Sequence, residues 1–229
     1  DTGDLADRIG NERLLKISDT TPRVSVKGRV IPGNNKYRQF LSTLAGLRAL
    51  KDAGCAYAIK VRTDQNLDLV TLRDRVLSDV SDRYTDNRIL FPGCRWDKPT
   101  RLPDFYFGGR TETMIDVLEH YVQSEEFHEN VHLDLFFKTA WRLQGRSLGQ
   151  PEWAYRPSGF YTARQKAVIQ SAWRNCYGTF PQKVFETLSW RGESFPASSL
   201  SANVYAETSV ADRDAIIERE VIVNAWRHR

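Results

Sequence analysis

Cysteine is scarce in this chain of 229 residues, with only Cys55, Cys94 and Cys176. Their odd number, wide scatter and lack of any C-x-x-C pair argue against a disulfide framework and a cysteine-built zinc site. A reducing, cytosolic compartment is the expectation that follows. No apolar run approaches the roughly 20 residues that cross a bilayer, which argues against an integral membrane protein. A signal-peptide pattern is also missing. The only methionine is Met114 and the chain opens Asp1-Thr2-Gly3-Asp4, so a processed or excised amino terminus is expected. There is no Walker loop, Rossmann glycine pattern or G-x-S-x-G elbow, so nucleotide binding would not use a P-loop. Charge of one sign is not concentrated either. The 33 Lys and Arg interleave with 29 Asp and Glu along the chain, unlike the single basic stripe of nucleic-acid binders. No nucleic-acid partner is expected.

The residues that are present describe a chain built to fold. Hydrophobic residues make up 41%, charged residues 27% and aromatics 11%, with six Trp, which is ample surface to bury. The length fits one domain over residues 1–229. The net charge of +4 and a pI near 9.0 mildly favour anionic partners, such as phosphates or an acidic membrane face.

Strands and helices alternate in the first half. Leu14–Asp19 reads as a strand and turn before Pro22, and Gly28 to Gly33 punctuate a loop. Asn34-Asn35 offer N-caps for a helix from about Lys36 to Ala53, in which Phe40, Leu41, Leu44, Leu47 and Leu50 recur at helical spacing before Gly54 stops it. Ala56–Val61 reads as a buried strand, Leu69–Val80 as a helix and Arg88–Phe91 as a strand stopped by Pro92-Gly93. Asp104–Phe107 is read as another strand, ended by a Gly108-Gly109 break. Helices are predicted at about Glu112–Gln123, Asn130–Leu143 and Ala163–Trp173, an irregular stretch over Gln182–Thr208 and a last helix over Ile216–Trp226. The alternation predicts an α/β fold with a mostly parallel central sheet flanked by helices, and a helix-rich carboxyl-terminal half.

Chemistry concentrates at Ile59-Lys60-Val61-Arg62-Thr63-Asp64. In open α/β sheets ligands lie outside the carboxyl ends of strands, which is where Asp64 falls. A carboxylate there can hold a hard divalent ion such as Mg²⁺ or Mn²⁺, and the ion can neutralise a departing diphosphate. Asp64 can equally cap the turn that follows. Lys60 and Arg62 alternate along the strand and share a face.

The order of segments Asn34-Asn35, Tyr37-Arg38-Gln39, Leu41-Ser42-Thr43, Gly46-Leu47, Tyr57-Ala58-Ile59-Lys60 and Arg62-Thr63-Asp64 resembles the WavE lipopolysaccharide-synthesis family. The block Pro103-Asp104-Phe105-Tyr106-Phe107-Gly108-Gly109 is similar to that family's next block, and the likeness spans Asn34 to Met114. The resemblance implies a GT-A-like, Rossmann-like glycosyltransferase that uses a nucleotide-sugar donor and commonly Mn²⁺ or Mg²⁺. Its acceptor would be a cell-surface or lipid-linked glycan, at a cytoplasmic and membrane-peripheral location. It carries Asp64 to the metal and diphosphate position usually marked Asp-x-Asp. Here the third residue is Asn66, and Asp68 lies two further on. Such domains usually start with a nucleotide-binding strand–helix–strand unit, which the present sequence is expected to begin after. The resemblance therefore implies either that those residues lie upstream in a longer chain or that the base is held differently. An inverting transferase needs an acceptor-side carboxylate base, for which Asp104 and Glu152 are the candidates. Arg38, Lys60 and Arg62 are candidates for the diphosphate oxygens.

Two features point elsewhere. His128-Glu129-Asn130-Val131-His132 is H-E-x-x-H, the zinc-peptidase pattern with Glu129 as base and Glu152 as a third ligand. His132 is also a candidate metal or phosphate ligand within a transferase site. Trp-Arg occurs at 141–142, 173–174, 190–191 and 226–227, where indole faces suit sugar rings and guanidinium groups suit acidic partners. On that basis a non-catalytic glycan- or anion-binding module is the third alternative, while the plainer expectation is Trp in the core with Arg reaching water.

Overall fold

Helical spacing in the sequence becomes a wall of apolar side chains in the structure, a computed structural model. It describes residues 24–26, 29–31, 35–62, 65–79, 87–92, 94–95, 98–102, 106–123, 131–145, 154, 158–180, 189–190, 193–194 and 203–204. Helix α1 (Asn35–Asp52) turns Phe40, Leu44 and Leu47 inward, one helical turn apart, and all three are buried. It ends in a Schellman turn. The Cys55 amide donates to the Leu50 carbonyl and the Gly54 amide to the Lys51 carbonyl, both at 2.9 Å, with Gly54 at φ 79°.

The chain then enters β3 (Tyr57–Lys60), the edge of a four-stranded sheet. Its order is β3, β7 (Phe107–Arg110), β5 (Ile89–Phe91) and β8 (Tyr177–Thr179). Strand β7 runs antiparallel to both β3 and β5, whereas β5 and β8 are parallel. The fold is therefore α/β with a mixed sheet. The predicted mostly parallel order is corrected by β7, which inserts between two co-directional strands. The expected buried strand is likewise an edge strand, with Tyr57 38% exposed.

The glycines read as a break lie inside β7. A Cβ on Gly108 would sit 2.8 Å from the Ala58 carbonyl oxygen, and one on Gly109 would sit 3.0 Å from that of Arg88. The central strand thus needs glycine for its neighbours to approach, as strand glycines often do.

Helices α3 (Thr111–Val122), α4 (Val131–Gln144) and α5 (Ala163–Cys176) follow close to their predicted bounds. Helix α5 begins with a capping box in which Thr162 and Gln165 bond reciprocally at 3.2 and 2.8 Å. Packing runs α1 on α3, α3 on α4 and α4 on α5, forming a layer against one face of the sheet. Aromatic rings join the layers. Phe40 meets Tyr121 at 4.6 Å and Phe107 at 6.5 Å, Phe91 meets Phe107 and Tyr177, and Phe136 meets Tyr177 at 4.9 Å. The Tyr177 hydroxyl donates to the Phe136 carbonyl. On the other face Leu90, Tyr106 and Phe180 are buried, the two rings 5.2 Å apart. Each such side chain removed from water contributes about 1.5–3 kcal/mol.

A polar cluster is sealed between α3 and α4. The Tyr121 hydroxyl and the Lys138 ammonium both donate to Asp134 Oδ2, at 3.0 and 3.1 Å. Burial, then the Asp134 charge, push the Tyr121 phenol well above its usual range.

Smaller pieces complete the described residues. The expected loop at Gly28 to Gly33 contains β2 (Arg29–Ile31), paired antiparallel with β1 (Val24–Val26), because β-branched residues favour a ladder there. Helix α2 (Leu69–Asp79) matches its prediction to within a residue. Two-residue strands β4 (Gln65–Asn66), β9 (Ser189–Trp190) and β10 (Glu193–Ser194) form one small sheet, and β6 (Cys94–Arg95) pairs with β11 (Asn203–Val204). The predicted elements Leu14–Asp19 and Ile216–Trp226 lie outside the described residues. Among the described residues, no helix is long and apolar enough to cross a membrane.

Candidate functional site

Register fixes which loops meet. Lys60 lies opposite Phe107, Leu90 opposite Gly108 and Phe91 beside Thr179. The carboxyl ends of β3, β5 and β8 therefore share one end of the sheet with the amino end of β7. Residues 61 and 62 leave β3, and residue 106 leads into β7, at this end; in sequence Asp64 is four residues past Lys60 and Asp104 three before Phe107.

A groove of about 490 Å³ opens between α1 and the outer edge of β3. Ser42, Thr43, Gly46, Leu47, Ala49 and Leu50 form one wall, and Ala58 to Val61 the other. The hydroxyls of Ser42 and Thr43 are turned to the Gln39 carbonyl, at 2.9 and 2.7 Å. Lys60 is the only charged residue among the described lining, and its ammonium lies 5.5 Å from the Phe107 ring centroid. That cation–π contact helps to orient the side chain. Arg38 is exposed one turn before Ser42 on α1, and Arg62 is partly buried just beyond β3.

His132 stands in the first turn of α4, its Nδ1 2.6 Å from the carbonyl oxygen of Leu102. A carbonyl can only accept, so Nδ1 carries a proton. Leu102 is fully buried in the segment that precedes β7, and that segment is pinned where the Trp173 indole donates to the Pro99 carbonyl at 3.0 Å.

The remaining candidates divide. Asn66 is exposed on β4, opposite Ser189, in the small sheet rather than the central one. Asp68 is the N-cap of α2. One of its oxygens accepts the Val70 and Thr71 amides at 3.1 and 3.0 Å, and the other accepts the Thr71 hydroxyl at 2.6 Å. These bonds hold its carboxyl below the usual carboxylate range. Asp64, Asp104, Glu152, His128 and Glu129 lie outside the described residues. Among the described residues, no group of three or more His, Cys, Asp and Glu is arranged to hold a metal ion.

Of the Trp-Arg pairs, Trp173 is fully buried in the core, as the plainer expectation had it, whereas Trp141 is 46% exposed. Trp190 is in β9, and Trp226 lies outside the described residues. Ser42 and Thr43 had no role assigned from sequence, because a helical hydroxyl gives no signal of the groove it faces. The signal for Asp68 was legible, since Asp three residues before Thr at a helix start is a capping pattern.

No known protein family, curated protein or solved structure matches this chain.

Proposed function

We propose that the chain is a GT-A-like glycosyltransferase domain. It moves a sugar from a nucleotide-sugar donor to a cell-surface glycan of the lipopolysaccharide or capsule type, assisted by Mn²⁺ or Mg²⁺. The observation that carries this reading is Lys60, the single described charge in a groove at the carboxyl end of an α/β sheet strand, the end where such sheets bind ligands. A nucleoside diphosphate is the anion that suits it. Lys60 and Arg62 bind diphosphate oxygens, and Arg38 approaches along α1.

Asp64 and Asn66 together have the oxygen chemistry of a hard-ion site. Asp64 supplies an anionic oxygen and Asn66 a neutral one, while Asp68 is committed to its helix. A bound divalent ion supplies charge neutralisation for the departing diphosphate. The acceptor hydroxyl attacks the anomeric carbon as the bond to the diphosphate oxygen breaks. Asp104 or Glu152 takes the hydroxyl proton, and the cations of the chain hold the negative leaving group. A lipid-linked acceptor would bring the domain to a membrane surface.

The test is calorimetric titration with UDP, GDP and CMP, with and without Mn²⁺. Saturable, Mn²⁺-dependent binding of one nucleotide is expected, abolished by Asp64→Ala and weakened about tenfold by Lys60→Ala, the scale of one charge-assisted contact. Parental affinity in Asp64→Ala would show that its assigned role is wrong.

One observation favours the zinc-peptidase alternative. The Nδ1–carbonyl bond of His132 is how metal-bound histidines are commonly oriented. That alternative requires stoichiometric zinc in the purified protein, lost in His132→Ala, and metal analysis finding none removes it.

A further inference from the structure

The opposite end of the sheet carries a second cavity, of about 610 Å³, that the donor reading does not use. Asn87 reaches it from just before β5, Glu112 and Asp116 from α3, Arg142 and Gln144 from the end of α4, and Asn175 from the end of α5. Leu143 is the only large apolar residue among the described residues that line it.

These side chains are held in place. Arg142 grips both carboxylate oxygens of Asp116 across the helix pair, its Nε at 2.8 Å from Oδ2. The Thr113 hydroxyl lies 3.3 Å from the Asn87 amide oxygen, which leaves the Asn87 amide protons for other partners. The Asn175 amide nitrogen donates to the Ser171 carbonyl at 2.9 Å, which leaves its oxygen as an acceptor. Glu112 pairs with Lys51 at 3.2 Å through one oxygen. Trp141 precedes Arg142 on α4 and is 46% exposed. Its ring meets the His120 ring edge-on, with centroids 5.4 Å apart and an interplanar angle of 74°.

The chemistry narrows the ligand. Among the described lining residues, Asp116 neutralises the one guanidinium. The other charge, Glu112, is acidic and paired with Lys51, so no unpaired cation is offered to a phosphate or other strong anion. The scarcity of apolar wall disfavours a hydrophobic ligand. Amide donors and acceptors side by side match hydroxyl groups, which both donate and accept. An exposed indole offers a flat surface to the C–H face of a pyranose.

We propose that this cavity, together with the exposed Trp141 that precedes its Arg142 on α4, binds a neutral sugar unit of an oligosaccharide. The site is remote from Lys60 and does not depend on the donor reading. It would tether a glycan to the domain rather than react with it.

The test uses the whole chain on an array of immobilised neutral and anionic glycans, where multivalent display raises weak affinities. Binding to at least one neutral oligosaccharide is expected. Trp141→Ala should weaken it about tenfold, the scale of one aromatic contact, and Trp141→Phe should keep part of it. Asn175→Ala should weaken it further, and Asp64→Ala should leave it unchanged. Circular dichroism of the Trp141→Ala protein should match the parent, since the ring is largely outside the core. Binding to no neutral glycan, binding to anionic glycans alone, or parental binding by Trp141→Ala would overturn the proposal. Loss in Asp64→Ala would also overturn it, by tying the signal to the donor end. Nucleotide titration separates this outcome from failure of the donor reading.

Discussion

Asp68 stands four residues after Asp64 and two after Asn66, close enough to look like part of an acidic metal motif. Its oxygens instead accept two amides and a hydroxyl at the start of α2, satisfying donors that a helix leaves open. The Thr71 hydroxyl, followed by the Thr71 amide, favours the ionised form and lowers its pKa. A carboxyl with a lowered folded pKa stabilises the fold above its unfolded value and loses that contribution as pH falls through the folded one. Asp68→Ala should therefore lower the urea midpoint at pH 7, and the difference from the parent should shrink as pH falls below about 3.9, the free carboxyl value. Nucleotide affinity should stay parental. A loss of nucleotide binding in this variant at unchanged stability would return Asp68 to the metal site.

At the scale of elements, the glycine pair in β7 separates what sequence conveys from what it withholds. Gly108-Gly109 after an aromatic run reads as punctuation, because glycine ends strands more often than it fills them. Only the third dimension reveals that β3 and β5 close in on both sides. Gly108→Ala would press a methyl group to 2.8 Å from the Ala58 carbonyl oxygen and 3.0 Å from Ile59 Cγ1. Overpacking of this kind costs about 1–3 kcal/mol, measurable as a lower urea midpoint with an unchanged m-value. Unchanged stability would mean that β3 lies further from β7. Helix α1 was legible for the opposite reason, since Phe40, Leu44 and Leu47 at one-turn spacing and a glycine stop are local signals. Strand β8 was not legible, because Tyr177 follows helix α5 with no loop between them. The same limit applies to the candidate site. Strand-end position singled out Asp64 from sequence and Lys60 came with it as a strand neighbour, but the groove beside Lys60 depends on how α1 folds back.

For the whole molecule, stability and function should be distributed unevenly across the sheet. Strand β7 is bonded on both sides and packed by Phe107 on Phe40 and Phe91. Among the described strands, β3 is bonded only to β7 and borders the groove that contains Lys60. Amides in a central strand exchange through near-global unfolding, whereas edge amides exchange through smaller openings. Hydrogen exchange of the free protein should be slowest at Phe107 to Gly109 and much faster on the outer side of Tyr57 to Lys60. A nucleotide seated at the carboxyl rim must restrain that edge, because a ligand stabilises the state it binds. UDP with Mn²⁺ should therefore slow exchange over residues 57–62 while leaving residues 142–145, at the other end of the sheet, unaffected. Slowing confined to residues 142–145 would move the anion site to the second cavity, and the charge on Lys60 would then need another explanation.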